Sequence, residues 1–343
     1  MKTRTQIVVT VGPKTESPAM IKNLITSGLD VARFNFSHDT HETFGKRAKL
    51  IRSIARRKLK KVKIMADLQG PRIRVGTLPP RGRELKDGEK ITFCTNVCGE
   101  IKKNEIVIRD PYLHEDVKKG DIILLDNGTM EANVISVQQY KIETRITRGG
   151  ILFSNKGINL PLTTTTTSAL TEKDKADIEF IIKKKFDYVA LSFVSSKDDV
   201  LELRKLLGEN GPKIISKIET AQAIQNLSEI IDVSDGVMVA RGDLGVEFPV
   251  EKVPLLQKMI ISKARWAGKP VITATEMLAS MVENHVPSRA EVSDIANAVL
   301  DGTSAVMLSN ESAVGKHPIL ALKMMKRVVI ETENYIENRA VYL

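Results

Sequence analysis

Lys217-Ile218-Glu219 closes one apolar run of the chain, and Ala240-Arg241-Gly242-Asp243 closes the next. The pairing puts an ammonium, two carboxylates and a glycine-exposed backbone at the same edge of two successive strands. A hard divalent cation takes oxygen ligands, and magnesium is often held by one or two carboxylates plus water and substrate oxygens. A lysine beside such a cation stabilises negative charge developing on a phosphoryl or enolate oxygen. Either half alone reads as a salt bridge at a strand end. Together on adjacent strands they point to a metal-assisted site in which Glu219 and Asp243 share a cation beside Lys217.

Other reactive side chains stand in equivalent places. Arg33, Asn35, Ser37 and His38 end or follow the run 31–36, and Asp67 lies at the end of 62–68. Ser192 lies at the end of 188–193, and Thr275 and Glu276 stand at the end of 271–275. Taken singly, Ser37, Ser192 and Thr275 read as caps or turn residues. They ring one cavity only if their runs are neighbouring strands of one closed sheet.

The periodicity predicts that sheet. Strand candidates fall at 7–11, 31–36, 62–68, 188–193, 214–218, 236–240, 271–275 and 305–308. Helical patterns fall at 18–27, 42–59, 172–184, 198–207, 221–231, 254–266, 289–300 and 319–337. Ser17 precedes Pro18 at a favoured first helical position. Thr171 with Asp174 and Ser288 with Glu291 have capping-box spacing. Eight βα units give an α/β fold, a (β/α)8 TIM barrel whose strand C-terminal ends carry the active site.

One connection breaks the rhythm. From Leu68 to about Leu160 there is no helical pattern of useful length, only short β-like pieces between turn signals such as Lys86-Asp87-Gly88 and Asp126-Asn127-Gly128. The expected organisation is a catalytic barrel of residues 1–69 and 158–343, with a small all-β domain, 70–157, inserted after strand three as a β-barrel lid. It would overhang the mouth of the barrel and exclude water.

The chain has 343 residues and a net charge of +10, which favours anionic partners. The densest basic stretch, Arg52 to Lys63, has apolar residues at helical spacing and reads as a solvated helix face. With 4% aromatic residues and no nucleic-acid motif, nucleic acid is not an expected partner. No apolar run reaches membrane-spanning length, and no signal peptide is visible, so no membrane association and a cytoplasmic location are expected. Cys94 and Cys98 lack the further ligands of a zinc site and read as reduced thiols.

In chain order, Ile7–Pro13 (IVVTVGP), Val31–His38 (VARFNFSH), Asp67–Arg74 (DLQGPRIR), Lys156–Pro161 (KGINLP), Ile214–Glu219 (IISKIE), Gly236–Gly245 (GVMVARGDLG), Pro270–Met281 (PVITATEMLASM) and Arg289–Leu308 (RAEVSDIANAVLDGTSAVML) resemble the pyruvate kinase family. The likeness covers barrel and insert from end to end. It implies phosphoryl transfer from phosphoenolpyruvate to ADP, giving pyruvate and ATP, a reaction dominated by positioning and charge stabilisation. On the family pattern Glu219 and Asp243 hold Mg²⁺ (or Mn²⁺), and Lys217 stabilises the transition-state charge and then the enolate. Gly242, Asp243 and Thr275 take the substrate at its carboxylate end, where Thr275 either binds the carboxylate or helps deliver the proton. Arg33 binds the transferring phosphate. Arg74 and Lys156 reach the nucleotide phosphates, with Asn35, Ser37 and His38 close by.

The sequence departs from that pattern in two ways. The family's K⁺ site corresponds to Asn35, Ser37, Asp67 and the carbonyl of Leu68, all present here. K⁺-dependent members, however, usually have Thr-Lys where this chain has Leu68-Gln69, and Glu where it has Arg72. Members that work without K⁺ tend to carry Leu, Gln and Lys there. A fixed charge on Arg72 would repel a K⁺ by about 4 kcal/mol at 4 Å for an effective dielectric of 20, so K⁺ is not expected to be required. The bland alternative is that Arg72 pairs with a surface carboxylate. Secondly, family members typically continue into a C-terminal α/β domain with effector sites and a subunit interface. This sequence runs only to Leu343, so the expectation is a kinase without that control, forming a homodimer through its barrel. Asn310 and Ser312 also depart from the pattern. Two rival readings are a metal-dependent barrel lyase or aldolase working through a pyruvate enolate, and a ligand-binding protein without catalysis. The first leaves the insert, Arg74 and Lys156 unexplained; Lys217, Glu219 and Asp243, all intact, weigh against the second.

Overall fold

The computed structural model describes residues 3–96, 102–161, 163 and 168–338. The first three barrel strands are β1 (Gln6–Thr10), β2 (Val31–Asn35) and β3 (Lys63–Asp67). They alternate with helices α1 (Pro18–Ser27) and α2 (His41–Arg57). The insert follows, with β4 (Arg83–Leu85), β5 (Lys90–Cys94), β6 (Glu105–Val107), a single helical turn α3 (Leu113–Asp116), β7 (Ile122–Leu125), β8 (Met130–Gln138), β9 (Lys141–Arg148), β10 (Gly150–Leu152) and β11 (Ile158–Asn159). The barrel then resumes with α4 (Glu172–Lys183), β12 (Tyr188–Leu191), α5 (Lys197–Leu207), β13 (Lys213–Ile218), α6 (Ala221–Gln225) and α7 (Leu227–Val233). It ends with β14 (Gly236–Ala240), α8 (Arg241–Glu247), α9 (Val253–Trp266), β15 (Val271–Ala274), α10 (Arg289–Asp301), β16 (Ala305–Leu308), α11 (Asn310–Ala313) and α12 (Pro318–Asn338).

All eight expected strands form one closed parallel barrel, in the order β1-β16-β15-β14-β13-β12-β3-β2. The two-residue period of a strand decides what reaches its mouth. Val8, Val31, Met65, Ala190, Ile215, Met238, Ile272 and Met307 form the packed interior. The intervening residues, such as Val9, Ala32, Ala66, Leu191, Ile214 and Val239, pack outward with the helices. Counting on by two from the interior layer gives Arg33 and Asn35 on β2, Asp67 after Met65, Ser192 after Ala190, and Lys217 then Glu219 after Ile215. The polar ring therefore continues the interior face of the sheet.

The ladder closes between the first and last strands, Gln6 opposite Ala305 and Val9 opposite Leu308. Ser312 tightens that seam. Its hydroxyl donates to the Thr10 carbonyl at 2.9 Å, and its own carbonyl accepts from Thr15 at 3.0 Å. Gly12 allows the approach, since a Cβ there would stand 2.8 Å from that of Ala313. Ser312 thus acquires a structural role that its sequence context did not reveal.

The expected caps are present at Thr171/Asp174 and Ser288/Glu291, and Ser196/Asp199 adds a third capping box. The helix expected over 221–231 is two helices. It breaks at Asn226, whose carboxamide donates to the Ser195 carbonyl at 2.8 Å, and α7 restarts beyond it.

In the insert, β11-β7-β8-β9-β5-β6 form a six-stranded sheet, antiparallel except for β5 with β6, and β4 pairs with β10 as a ribbon. The edges of the larger sheet meet through residues 73–76. Val75 N–H donates to Lys156 O at 2.9 Å and Ile158 N–H to Ile73 O at 3.0 Å, while Gly76 N–H donates to Val107 O at 2.8 Å. The one-turn α3 is too short to show a helical period. Cys94 is buried in β5 as a free thiol; Cys98 lies outside the described residues. Among the described residues no helix is long and apolar enough to cross a membrane.

Candidate active site

At the C-terminal mouth of the barrel, β2, β3 and β13 bring four charged side chains into one chain of contacts, joined by the Ser192 hydroxyl that follows β12. Arg33 Nε donates to Asp67 Oδ2 at 2.6 Å. Lys217 Nζ lies 3.3 Å from Asp67 Oδ1 and 2.6 Å from Glu219 Oε1, and donates to Ser192 Oγ at 2.8 Å. Asp67 and Glu219 are fully buried. Glu219 Oε2 also accepts the N–H of Phe193, a residue held in the left-handed region at φ 55°.

The electrostatics follow from this crowding. Burial raises the Asp67 carboxyl, but the charges of Arg33 and Lys217 outweigh it and hold the group below its ordinary value. Burial lowers Lys217, yet Asp67, Glu219 and Asp243 together raise it, so it stays an ammonium. Glu219 is pushed up to about 7, first by burial and then by Asp243, against the pull of Lys217. Two carboxylates that repel each other beside a water-excluded wall suit a divalent cation, which would relieve the repulsion. Glu219 and Asp243 fit the two-carboxylate donor set of Mg²⁺. No group of three or more potential His, Cys, Asp or Glu ligands occurs among the described residues.

Strands β14 and β15 supply the opposite wall. Gly242 N–H donates to Thr275 Oγ1 at 2.8 Å, and that hydroxyl donates to Ala274 O at 2.7 Å. The Gly242 amide is therefore capped by Thr275 in this state. Thr275 and Glu276 both have positive φ, 68° and 53°, which is costly for a β-branched residue. Arg241 holds them there. Its guanidinium donates to Ala274 O at 3.1 Å and to Thr275 O at 2.5 Å, while Asp294 anchors it at 2.6 Å. Sequence reasoning noted Arg241 without a role and missed Asp294. It also missed Thr10, whose hydroxyl accepts from Arg33 Nη1 at 2.8 Å.

On the insert side, Asn35 Oδ1 accepts the Ser37 N–H at 3.1 Å, and the exposed His38 follows one turn on, its N–H donating to Asn35 O. Arg74 donates to Asn155 O at 2.9 Å, and Lys156 pairs with Asp126 at 2.9 Å. Burial lowers Arg74, and the neighbouring charges of Arg72 and Arg109 lower it further. These guanidiniums form a cationic group at the insert roots. Arg72 forms no ion pair among the described residues; its Nη2 donates to Asn127 Oδ1 at 3.4 Å. Of the family's K⁺ ligands, Asp67 is engaged by Arg33 and Lys217, and Leu68 O accepts from Ser192 at 2.7 Å.

The arrangement resembles known proteins throughout its length. A family model described as pyruvate kinase, barrel domain, matches residues 2–322. The pyruvate kinase of Geobacillus stearothermophilus is 45% identical, covering 99% of this chain and 59% of that protein. That of Clostridium acetobutylicum is 44% identical, covering 97% and 71%. A solved pyruvate kinase from Cryptosporidium parvum superposes with a TM-score of 0.94 at 38% identity, covering 99% of this chain and 71% of that one. The chain thus spans about three fifths of the length of the Geobacillus relative. By sequence and by fold, the chain belongs to the pyruvate kinase family.

Proposed function

We propose that the chain transfers the phosphoryl group of phosphoenolpyruvate to ADP, releasing pyruvate and ATP, as a glycolytic step in the cytoplasm. The observation that carries this reading is the Lys217 ammonium, fixed between the buried carboxylates of Asp67 and Glu219 and facing Asp243. Glu219 and Asp243 would hold Mg²⁺ or Mn²⁺, which supplies positive charge to the phosphoryl and enolpyruvate oxygens when bound.

The chain's own groups do the rest. Arg33 has Nε on Asp67 and Nη1 on Thr10, and its Nη2 has no partner among the described residues, leaving that edge for a phosphoryl oxygen. Lys217 stabilises charge as the P–O bond of phosphoenolpyruvate lengthens and remains beside the enolate oxygen afterwards. Thr275 and the Gly242 amide exchange their mutual bond for the substrate carboxylate. Alternatively, the Thr275 hydroxyl helps deliver the proton that converts the enolate to pyruvate. Arg74 and Lys156 meet the ADP phosphates, near Asn35, Ser37 and His38. The insert, residues 70–157, serves as the lid that excludes water over this cleft. Arg72 supplies fixed charge in place of K⁺.

Pyruvate formation from phosphoenolpyruvate and ADP with Mg²⁺, in K⁺-free buffer and with added KCl, tests the reading beside Lys217→Met. Turnover in K⁺-free buffer, lost in Lys217→Met, is the expected result. Turnover only with KCl keeps the kinase and removes the role given to Arg72. No turnover in either buffer from folded protein overturns the proposal.

A further inference from the structure

Next to the candidate site lies a second cavity, of about 100 Å³. It sits where both roots of the insert meet the barrel. Pro71, Ile73 and Ile158 form one wall, and Phe193, Thr220 and Ala221 the other. The polar groups there include the carboxamides of Asn159, Gln222 and Gln225 and the carboxyl of Glu247, the last residue of α8.

Glu247 is short of partners. One oxygen accepts the Ala221 N–H at 3.5 Å, the limit of a hydrogen bond, and its carboxyl makes no other bond among the described residues. Burial pushes this carboxyl up to about 7, and Asp243 adds to the rise. A half-buried carboxyl with few donors gains from an N–H group brought to it. The charge balance points the same way. The described lining carries two acids, Asp110 and Glu247, against the single cation Arg72. A phosphate or carboxylate ligand is poorly served here, and a cation is well served.

The cavity also shares its walls with the site in front of it. Phe193 holds Glu219 through its N–H, Thr220 and Ala221 follow Glu219 directly, and Glu247 lies one helical turn beyond Asp243 on α8.

We propose that this cavity binds a small molecule with an apolar, ring-sized body and a cationic N–H donor head. The head rests on Glu247 and the body lies against Ile73, Ile158 and Phe193. Occupancy alters cation binding by Glu219 and Asp243. The binding itself is independent of the phosphotransferase reading; only the coupling rests on it.

Benzamidine, an aromatic ring carrying an amidinium, is the probe. Titrated into the full chain without Mg²⁺ or substrates and followed by calorimetry, it is expected to bind saturably in the millimolar range or tighter, as suits so small a molecule. Benzoate, of similar shape and opposite charge, is expected not to bind. Glu247→Gln should weaken benzamidine about tenfold, the loss of one charge-assisted contact, and Gln222→Trp, at a half-buried position, should block it. Mn²⁺ binding, followed by electron paramagnetic resonance with and without benzamidine, reads the coupling without turnover. No saturable benzamidine binding, equal binding of benzoate, or binding unmoved by both variants overturns the site. Benzamidine binding that leaves Mn²⁺ affinity unchanged overturns the coupling. A failure of phosphoryl transfer would leave the benzamidine titration as it is, so the two readings fail separately.

Discussion

Lys217 is held in place by the same carboxylates that raise its proton affinity, so replacing it has two effects. On the proposed function, Lys217→Met removes the cation that faces the developing enolate and should lower kcat by about 10²–10³. It also leaves Asp67 and Glu219 buried without their shared partner, a change that costs about 3–5 kcal/mol in comparable sites. Thermal melts beside steady-state rates separate the two. Glu247 makes a pH prediction. Its carboxyl ordinarily titrates at 4.5 and is raised to about 7 in the folded chain. Between those values the folded chain keeps a proton that the unfolded chain has released. Stability therefore falls as pH rises through that window, and the penalty is complete above it. Glu247→Gln should gain on the order of 2 kcal/mol over the parent at about pH 8 and nothing at about pH 4, as read by urea melts. Lys217, Glu219 and Asp67 were legible in the sequence because they continue an alternating strand pattern. Glu247 was not, because in Val246-Glu247-Phe248 only the packing of α8 on the barrel shows that a carboxylate is half-buried.

Among the elements, the turn after β15 depends on α8 and α10. Arg241 on α8 reaches the Ala274 and Thr275 carbonyls, and Asp294 on α10 fixes the guanidinium. Thr275 at φ 68° would relax without them. An ammonium cannot span those acceptors as a guanidinium fork does. Arg241→Lys is therefore expected to reduce kcat/KM for phosphoenolpyruvate by about tenfold or more, one lost charge-assisted hydrogen bond or more. Substrate kinetics and a melting curve check this, since a merely structural role would move the melt alone. The elements themselves were read well where local signals were strong: strands as buried apolar runs, helices by their caps. Asn226 escaped because its break depends on the Ser195 carbonyl, remote in sequence and adjacent in space. Asp294 escaped for the same reason.

The barrel as a whole was legible because eight buried parallel strands leave a simple trace. The closure of the insert was not, because residues 73–76 join its edges through isolated bridges that carry no pattern. At this scale Arg72 makes its prediction. It stands at the insert root without an ion pair among the described residues, so Arg72→Glu should lower turnover in K⁺-free buffer and make it rise several-fold on adding KCl, as an exposed charge reversal worth about 1 kcal/mol would. Rates in Tris with and without KCl decide it. The seam between β1 and β16 has a further consequence, for the order of synthesis. On the ribosome, β1 is made first and keeps one edge bare until its partner, from Ala305 onward, has emerged. The insert needs no such delay, because its far pairings, such as Arg74 with Gly157 and Arg83 with Leu152, all lie within the stretch from Ile73 to Asn159. Short-range pairings form sooner than long-range ones. The insert can therefore be complete while the barrel that carries it still has an unpaired edge on β1, the strand edge most exposed to association during synthesis.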